Sequence, residues 1–423
     1  MKYVIIGNSV AAIGGVEGIR QVDPEGEIIL ISKEPYATYS RPLISYFLAG
    51  KVDTRHMAYR PATFYKAHDV TALLGKEASR LDTKNAKVIL TDGEEISYDR
   101  LLVATGGVPF VPPIKGIEAK GVTTFTTWDD AKALKRLVPA LKKVVILGGG
   151  LIGVKAMEGL QAHGVDITVV ELMDRILGLV LDKTASGILE KKLVQEGVTL
   201  KKGTTIKEII SGEDGKVREV SLENGESLEA DHVIIAIGVR PNLEVVKDSP
   251  IECGRGILVD ESMQTSVPNV FAAGDVAEAM ELISGEKRVI PILPNAYRQG
   301  KIAGMTMAGR EVPYLGGIVM NSVEVGGIPA ISAGLMNPEE KAGYEVKRRL
   351  NKRENTYQKM VIKDNRLVGY ILIGAVDRAG IYTGLIRERI DVKPFKNKLL
   401  DSDFGFIDFP KDLRSYKLST TYM

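Results

Sequence analysis

Two short hydrophobic runs near the N-terminus give the first pattern in the chain. Residues 2–7 form an apolar run that ends in Gly7, and residues 27–32 form another, with Glu34 just beyond it. The stretch between them, to about Gln21, is helical in character. Unbroken apolar runs of this length are typical of parallel strands buried on both faces. The sequence therefore predicts a β-α-β unit of the usual length, about 30 residues.

The turn between the first strand and its helix carries a degraded G-x-G-x-x-G pattern. Gly7, Ser9 and Ala12 occupy the three glycine positions. Glycine at the first position permits a tight turn, and small residues at the others let a pyrophosphate and the neighbouring strand approach the backbone. By itself this pattern leaves an ordinary β-α turn equally open.

A second apolar run, residues 143–148, leads into a complete G-x-G-x-x-G and then a helix to about His163. The loop residues are Gly148, Gly150, Leu151, Ile152 and Gly153. An intact motif between a strand and a helix is typical of dinucleotide binding. Two such motifs are unlikely to occur in one chain by chance. Together they indicate a hydride donor and a second redox cofactor.

The strand over residues 166–170 ends at Glu171, near the acidic position that follows the glycines in NAD-binding folds. A carboxylate there accepts hydrogen bonds from a ribose diol and repels a 2′-phosphate. The sequence therefore predicts that NAD(H) is preferred over NADP(H), although Arg175 lies nearby. The alternative for Glu171 is a solvated strand end.

Composition narrows the class of protein. Lys and Arg number 56 against 54 for Asp and Glu, which gives no general reason to expect binding to nucleic acid or a membrane surface. The single cysteine, Cys253, excludes an internal disulfide, a redox dithiol and a C-x-x-C zinc site, and the four histidines show no metal-binding spacing. The 44 glycines indicate tight turns and close backbone approach to a bound group. With no signal peptide and no apolar run of about 18 residues, we expect a cytoplasmic protein without a membrane span.

Three further stretches run from an apolar strand into a turn of small residues. They are residues 99–107, with Ala104, Thr105 and Gly106; residues 231–242, with Gly238; and residues 265–276, with Gly274 and Asp275. Asp275 is suited to accept a hydrogen bond from a sugar or ribityl hydroxyl, while Gly274 admits that chain close to the backbone. Each stretch alone is also compatible with an ordinary strand and turn.

In this order the motifs resemble those of the pyridine nucleotide-disulfide oxidoreductases, a family of FAD- and NAD(P)-dependent flavoproteins, over about residues 1–310. The resemblance implies an α/β fold with two Rossmann-like dinucleotide-binding domains and a small α+β C-terminal domain. It places FAD in a domain split over residues 1–110 and 232–312. It places NAD(H), as substrate, in a domain over residues 111–231, and it leaves residues 313–423 as a C-terminal interface domain.

The resemblance also implies cofactor contacts. For FAD these are Gly7, Ser9, Val10, Ala11, Ala12, Glu34, Arg41, Pro42, Ala78, Ala104, Thr105, Gly106, Gly274, Asp275, Pro294 and Ala296. For NAD(H) they are Gly148, Gly150, Leu151, Ile152, Gly153, Glu171 and Gly238. Glu34 would bind the adenosine ribose and Ala78 the adenine, through its backbone. Arg41 and Pro42 would lie against the isoalloxazine.

The chain lacks the redox cysteines of the disulfide- and peroxide-reducing branches, because residues 13–18 and 39–46 contain none. Its Tyr-x-Arg-Pro-Leu pattern instead resembles the thiol-free branch: reductases of rubredoxin and ferredoxin and the flavin module of NADH-dependent nitrite reductase. Members of that branch pass electrons from NADH through FAD, one at a time, to an iron–sulfur or iron protein. Disulfide and peroxide chemistry through a cysteine is therefore not expected.

Two residues depart from the pattern of the family and are the candidate catalytic residues. Tyr46 replaces a lysine that several of these reductases carry near the flavin. Lys155 replaces the glutamate that usually follows the third NAD glycine, and a cation there would raise the potential of the flavin or contact the nicotinamide amide. The alternative for Lys155 is a helix lysine whose amine reaches solvent.

The expected activity is an NAD(H):acceptor oxidoreductase that moves hydride between NAD(H) and FAD and single electrons to or from a ferredoxin-like or rubredoxin-like partner. Family resemblance includes flavoproteins encoded beside carbon monoxide dehydrogenase, and a homodimer through the C-terminal domain is open. The alternatives are a cysteine-independent NADH oxidase and a slow redox-sensing flavoprotein.

Beyond about Tyr314 the sequence predicts a small sheet, with strands over residues 319–326, 359–364 and 367–373, followed by a helix over residues 379–390. A basic stretch over residues 341–353 is interpreted either as a solvated face or as a surface that steers an acidic ferredoxin. The tail contains Phe404, Phe406 and Phe409, which we expect to pack on the body of the protein, with partner docking as the alternative.

Overall fold

The computed structural model describes residues 1–339 and 343–419, with side chains to residue 416. Its strands are β1 (Lys2–Ile6), β2 (Glu27–Ser32), β3 (Val70–Leu74), β4 (Ala78–Asp82), β5 (Lys87–Leu90), β6 (Glu95–Ser97), β7 (Arg100–Val103), β8 (Gly107–Pro109), β9 (Val122–Thr124), β10 (Lys143–Leu147), β11 (Asp166–Glu171), β12 (Thr199–Lys202), β13 (Ile206–Ser211), β14 (Val217–Leu222), β15 (Ser227–Glu229), β16 (His232–Ile235), β17 (Val239–Pro241), β18 (Ile257–Leu258), β19 (Val270–Ala272), β20 (Ala277–Met280), β21 (Lys287–Arg288), β22 (Met320–Val325), β23 (Ile328–Gly334), β24 (Glu345–Asn351), β25 (Thr356–Lys363) and β26 (Arg366–Ile373). Its α-helices are α1 (Val10–Arg20), α2 (Ile44–Leu48), α3 (Phe64–Ala67), α4 (Trp128–Leu137), α5 (Leu151–Gln161), α6 (Lys183–Gln195), α7 (Leu293–Met307), α8 (Ala379–Arg387) and α9 (Lys411–Ser419).

The chain divides into two compact units. The first comprises Met1–Pro112, Thr124–Ala140 and Ala236–Gly317; the second comprises Pro113–Thr123, Leu141–Ile235 and Ile318–Met423. Among the helices of the described ranges, none is long and apolar enough to cross a membrane.

The first unit is built on a parallel five-stranded sheet in the order β19-β7-β1-β2-β3. Its central strands are buried on both faces, and Val4, Ile5 and Leu102 have no exposed surface. Continuous apolar runs are what such strands require. The predicted β-α-β unit is confirmed, as β1, α1 and β2.

A seam of glycines joins α1 to α7 in the first unit. A Cβ on Gly300 would lie 1.9 Å from the carbonyl oxygen of Ala11, and one on Gly304 would lie 2.2 Å from that of Gly15. Separations this short leave no room for any side chain, so the two helices approach backbone to backbone. Part of the glycine excess, which composition attributes to turns and bound groups, therefore serves helix–helix packing.

The second unit begins with a five-stranded sheet in the order β12-β11-β10-β16-β9, in which β12, β11, β10 and β16 run parallel. An antiparallel sheet of β13, β14 and β15 shares its core, where Val145, Val170, Val220 and Val233 are buried together. The second predicted strand-loop-helix is confirmed as β10 and α5. Its following strand is β11, which ends at Glu171 as expected.

The second unit also contains an antiparallel five-stranded sheet in the order β22-β23-β26-β25-β24. The predicted strands correspond to β22, β25 and β26, and the predicted helix is α8, which ends three residues early. Asp364 and Asn365 form the turn between β25 and β26 with φ of 49° and 57°, values that asparagine and aspartate tolerate. The strands β23 and β24 are absent from the prediction.

Most of the basic stretch is the edge strand β24, in which successive residues point to opposite faces, so its side chains are divided between two faces; a solvated face and a ferredoxin-steering surface both stay predictions. Lys347 donates to Asn397 Oδ1 at 2.8 Å, and Arg349 pairs with Asp401 at 3.3 Å, so both bind the C-terminal tail. Arg348 lies opposite Lys359 in the register, on the other face. Lys341 lies outside the described residues.

The aromatic tail packs mainly on itself and on α8. Phe404 stacks on Tyr382 with ring centroids 5.8 Å apart, and Phe395 stacks on Phe409 at 4.8 Å. Phe404 is fully buried, whereas Phe406 keeps 42% of its surface exposed. Packing of the tail is therefore confirmed for Phe404 and Phe409.

Candidate cofactor-binding sites

The turn between β1 and α1 is open at the start of the helix. Gly7 has φ of +120°, and a Cβ there would lie 2.1 Å from the carbonyl oxygen of Ala104. Ser9 is the N-cap residue of α1, yet its hydroxyl makes no capping hydrogen bond. The first amides of a helix need acceptors from outside the helix. This turn, with a free hydroxyl beside those amides, therefore fits a pyrophosphate.

The turn after β19 presents a carboxylate. Gly274 has φ of +84°, and a Cβ on it would lie 3.1 Å from that of Ala11 and 3.6 Å from that of Ala296. Among the described residues, none donates a hydrogen bond to Asp275, which is partly buried. Burial raises the pKa of Asp275 to about 6, and the positive charge of Arg41 opposes that rise. A partly buried carboxylate without a donor among the described residues fits the hydroxyl groups of a ribityl or sugar chain.

Glu34 follows β2 and is held by two side chains. One carboxylate oxygen pairs with the guanidinium of Arg41, and the other accepts from the Tyr39 hydroxyl at 2.7 Å. The Tyr39 hydroxyl in turn accepts from the backbone N–H of Trp128 at 3.1 Å. Burial alone would lower the pKa of Arg41, but the nearby Tyr39 and Glu34 raise it by more, so the net shift of this pKa is upward. Glu34 keeps lone pairs for a ribose hydroxyl, and that role stays a prediction.

The other residues predicted to contact FAD lie at strand ends and turns of the first unit. Thr105 and Gly106 follow β7, and the Thr105 hydroxyl donates to the carbonyl of Asn242 at 2.8 Å. The remaining positions are Val10 at the start of α1, Pro42 in a short 3₁₀ turn, Ala78 at the start of β4, Ala104 after β7 and Pro294 in the first turn of α7. Their contacts with a cofactor stay predictions.

The glycine loop of the second unit has the geometry that its motif predicts. Gly148 has φ of +111°, and a Cβ on Gly153 would lie 1.9 Å from the Gly148 carbonyl oxygen. A Cβ on Gly150, the N-cap residue of α5, would meet nothing within 4 Å, so the space beside the helix start is open. Leu151 and Ile152 form the first turn of α5. The loop therefore fits the pyrophosphate of a nicotinamide dinucleotide.

Glu171 faces this loop. Its Oε2 accepts from the Gly149 N–H at 2.6 Å, and its Oε1 accepts from the Met173 N–H at 2.7 Å. These bonds fix the carboxylate beside the glycines, where an acid of this motif meets a ribose diol.

Lys155 and Tyr46 have defined surroundings, although their catalytic roles stay predictions. The Lys155 amine donates to Glu158 Oε2 at 2.6 Å and to the carbonyl of Glu324 in β22 at 3.2 Å. Its charge is therefore balanced within the second unit. Tyr46 lies on α2 with 37% of its surface exposed, and the amine of Lys51 lies 5.6 Å from its ring centroid.

Gly238 lies between β16 and β17 with φ of +119°, and its carbonyl accepts from the Phe110 N–H at 3.0 Å. The left-handed backbone explains the glycine. Its contact with the nicotinamide stays a prediction.

Two residues to which the sequence assigned no role of their own, Gln299 and Tyr39, hold these sites in place. Gln299 is 2% exposed; its Oε1 accepts from the Gly274 N–H at 2.8 Å, and its amide donates to the Tyr314 hydroxyl at 3.3 Å. Tyr39 binds Glu34, as described above. Gln299 lies nearly two turns into α7, and no spacing rule links it to Gly274.

The lone cysteine and the grouping of possible metal ligands indicate no further redox or metal chemistry in the described residues. Cys253 is an exposed residue; partial desolvation of its thiol and the nearby negative charge of Glu278 raise its pKa. In the described part of the chain, no three His, Cys, Asp or Glu side chains are grouped as a metal ion requires.

Two dinucleotide-binding folds, one with Asp275 and Glu34 and the other with Glu171, define a flavoprotein oxidoreductase that uses a nicotinamide coenzyme. The family model of pyridine nucleotide-disulphide oxidoreductases matches residues 1–300, and that of the rubredoxin NAD+ reductase C-terminal domain matches residues 320–390. The chain belongs to the pyridine nucleotide-disulphide oxidoreductase family, as its motifs predict.

Individual relatives agree with that assignment. The chain is 32% identical over 395 residues to nitrite reductase [NAD(P)H] of Bacillus subtilis (strain 168), covering 92% of this chain and 48% of that protein. It is 32% identical over 402 residues to the NADH-dependent phenylglyoxylate dehydrogenase subunit epsilon of Aromatoleum evansii, covering 94% of each. The covalent putidaredoxin reductase–putidaredoxin complex matches with a TM-score of 0.84 and 26% identity, over 92% of this chain and 94% of that one. The chain thus spans about half of the nitrite reductase but nearly all of the dehydrogenase subunit.

Proposed function

We propose that this protein is an NADH-dependent FAD oxidoreductase that exchanges single electrons with an iron–sulfur or rubredoxin-type protein. One observation carries the proposal: two dinucleotide folds occur together in a chain whose single thiol, Cys253, is at no redox position of the family. Without a thiol at a redox position, electrons from NADH have no cysteine route to a disulfide or a peroxide. A one-electron carrier protein is the acceptor that remains closest to the family pattern.

The roles of the residues follow from their chemistry. The α1 turn around Gly7 and Ser9 would bind the FAD pyrophosphate, and Asp275 would accept from its sugar or ribityl hydroxyls. FAD, when bound, accepts a hydride and releases electrons singly. The protein contributes orientation, through helix starts and glycine turns, rather than an acid or base.

The preference for NADH over NADPH is part of the proposal. Glu171 is fixed by two backbone N–H groups, so it cannot turn away to admit a 2′-phosphate without leaving both donors unpaired. The neighbouring Arg175 is engaged by Asp174 at 2.6 Å and by the Gly178 carbonyl at 3.3 Å. It is therefore a poor anchor for that phosphate.

Three comparisons support a protein partner. The C-terminal match is to a domain of rubredoxin reductases, a similar solved structure is a reductase bound to putidaredoxin, and one relative is a subunit of an NADH-dependent dehydrogenase. We infer the same kind of acceptor or donor here, in the cytoplasm and with either direction of electron flow. Association with carbon monoxide dehydrogenase and a homodimer through the C-terminal domain are narrower forms of this proposal.

Rapid mixing of the yellow protein with NADH, without air, tests the proposal. We expect fast loss of flavin absorbance with NADH, slow loss with NADPH, slow return of colour in air and fast return with an oxidised ferredoxin or rubredoxin. Fast return in air would instead identify an NADH oxidase. Failure to bleach would contradict NADH as the donor.

Cys253→Ser is the matched control for this experiment. The proposal requires wild-type rates in every phase, because the thiol takes no electrons. A loss of acceptor reduction in this variant alone would refute a thiol-independent route.

A further inference from the structure

The loop that follows Glu171, residues 172–182, is here named the coenzyme loop. Near its middle, the N–H of Leu177 donates to the Gly149 carbonyl at 2.8 Å. Leu177 is 2% exposed and has φ of +52°, a conformation that costs a residue with a side chain about 1 kcal/mol or more. Such a conformation persists only where surrounding contacts impose it. The path of this loop is therefore set from outside the loop.

The far end of the coenzyme loop is Asp182, the N-cap residue of α6. Its Oδ1 accepts from the Ala185 N–H at 3.0 Å, in the usual capping geometry. Its Oδ2 accepts from the Tyr357 hydroxyl at 2.8 Å and pairs with the Lys359 amine at 3.0 Å. Tyr357 and Lys359 both belong to β25, so the C-terminal sheet binds the end of the coenzyme loop directly.

Asn337 adds a second attachment between the same parts of the second unit. Its amide donates to the Leu181 carbonyl at 3.2 Å, and its Oδ1 accepts from Lys359 at 3.4 Å. Leu181 and Asp182 are consecutive, so three side chains from the C-terminal sheet and the turn after β23 bind the last two residues of the loop.

The contact is costly enough to need a reason. Lys359 is only 3% exposed. Burial lowers the pKa of its amine by more than the nearby Asp182 raises it, so the net shift is downward. Burial also works against the Asp182 carboxylate, but its hydrogen bonds to Ala185, Tyr357 and Lys359 leave its pKa below the ordinary value. A buried ion pair contributes little net stability compared with apolar packing, yet it defines geometry sharply. A role in fixing the loop accounts for a pair of this kind.

We propose that Tyr357 and Lys359 are positioning residues for NAD(H): through Asp182 they fix the coenzyme loop, and the loop fixes Glu171 and the glycine turn. The proposal rests on the proposed function, in which Glu171 binds the ribose of NAD(H). It assigns a coenzyme-binding role to the C-terminal sheet in addition to any partner contact.

The test compares the KM for NADH with kcat, using ferricyanide as an artificial acceptor. Tyr357→Phe removes one hydrogen bond and keeps the ring, and the double variant Asp182→Asn with Lys359→Met removes the pair without leaving a buried charge. We expect the KM to rise roughly threefold in the first and tenfold in the second, the ratios that follow from losing one or two buried hydrogen bonds. We expect kcat and the FAD content to stay at wild-type values.

Lys347→Met is the matched control, because this lysine lies on the adjacent strand but binds Asn397 of the tail. Its KM for NADH should stay at the wild-type value. An unchanged KM in Tyr357→Phe and in the folded double variant would overturn the inference. A wild-type protein that neither oxidises nor binds NADH would instead overturn the proposed function, so the two failures are distinguishable.

Discussion

The two dinucleotide turns share an open helix start and differ most in the packing of their third motif position. Ser9 and Gly150 are both N-cap residues in extended backbone conformations, with φ of −112° and −78°, and neither makes a side-chain cap. In the second unit a Cβ on Gly153 would lie 1.9 Å from the Gly148 carbonyl oxygen, whereas the methyl of Ala12 is accommodated and fully buried. The degraded motif thus keeps the open helix start although Ser9 and Ala12 replace its second and third glycines.

The glycines missing from the first motif recur farther along the same helix. Gly14 and Gly18 of α1 face α7, and a Cβ on Gly18 would lie 2.3 Å from the Lys301 carbonyl oxygen. The third motif position is therefore in tight contact only in the second unit, between α5 and Gly148, whereas α1 of the first unit has its tight glycine contacts farther along, against α7. A motif search limited to the turn detects only the second arrangement.

We expect the largest effect of this difference on NADH oxidation when the residue at the third motif position is changed from glycine to alanine or the reverse. Gly153→Ala places a methyl against backbone that cannot move freely, so we expect NADH oxidation to fall by about two orders of magnitude while FAD is retained. Ala12→Gly should lower the free energy of unfolding by only about 1 kcal/mol and leave NADH oxidation and FAD retention near their wild-type values. Steady-state kinetics with FAD quantification checks both, and equal losses in the two variants would break the comparison.

A smaller effect is expected at the helix seam. Gly300→Ala directs a methyl at the Ala11 carbonyl, so we expect the free energy of unfolding to fall by about 2 to 3 kcal/mol and FAD to be lost at lower temperature. Gly187→Ala, in α6, is the control, because a Cβ there meets nothing within 4 Å and alanine favours helices. Thermal unfolding with and without FAD measures both. A stable Gly300→Ala protein would show that the seam is not tight in solution.

The smallest effect concerns the pH dependence of FAD binding, which we expect Asp275 to set. The pKa of Asp275 is raised to about 6, and hydroxyl donors favour its ionised form, so FAD affinity should fall by up to about tenfold per pH unit below 6. The cofactor-free fold changes in the opposite sense: the raised pKa means stability gained on acidification and lost as pH rises through about 6. Asp275→Asn should bind FAD more weakly at pH 7 and with little dependence on pH. Fluorescence titration with FAD between pH 5 and 8 decides, and a pH-independent wild type would contradict the assignment of Asp275.

Much of the fold was predictable because its signals are local. The parallel strands β1, β2, β10 and β11 are continuous apolar runs followed by small residues, and both cofactor turns follow from their glycine spacing. Pairings between residues far apart in sequence were not predictable. Gln299 reaches Gly274, and Lys359 reaches Asp182, through packing that no spacing rule encodes.

The C-terminal sheet was the least predictable part of the fold, because two of its five strands, β23 and β24, give weak sequence signals. The strand β24 carries charges on both faces, because Lys347 and Arg349 bind the tail while Arg348 lies opposite Lys359 of β25, so its polarity is also typical of a solvated stretch. The seven-residue strand β23 has a weak sequence signal, because Gly326 and Gly327 immediately precede it and Pro329 is its second residue. Short apolar strands with glycine and proline near their ends carry little periodic signal.

Trp128 makes the chain its own optical probe. It is the single tryptophan of the sequence, and its backbone N–H binds the Tyr39 hydroxyl, which in turn binds Glu34 at the adenosine end of the proposed FAD site. Its emission overlaps the absorption of an oxidised flavin, so excitation energy would pass from the indole to FAD with an efficiency set by their separation. Occupancy of the first unit can therefore be followed from intrinsic emission alone, with no label and no turnover.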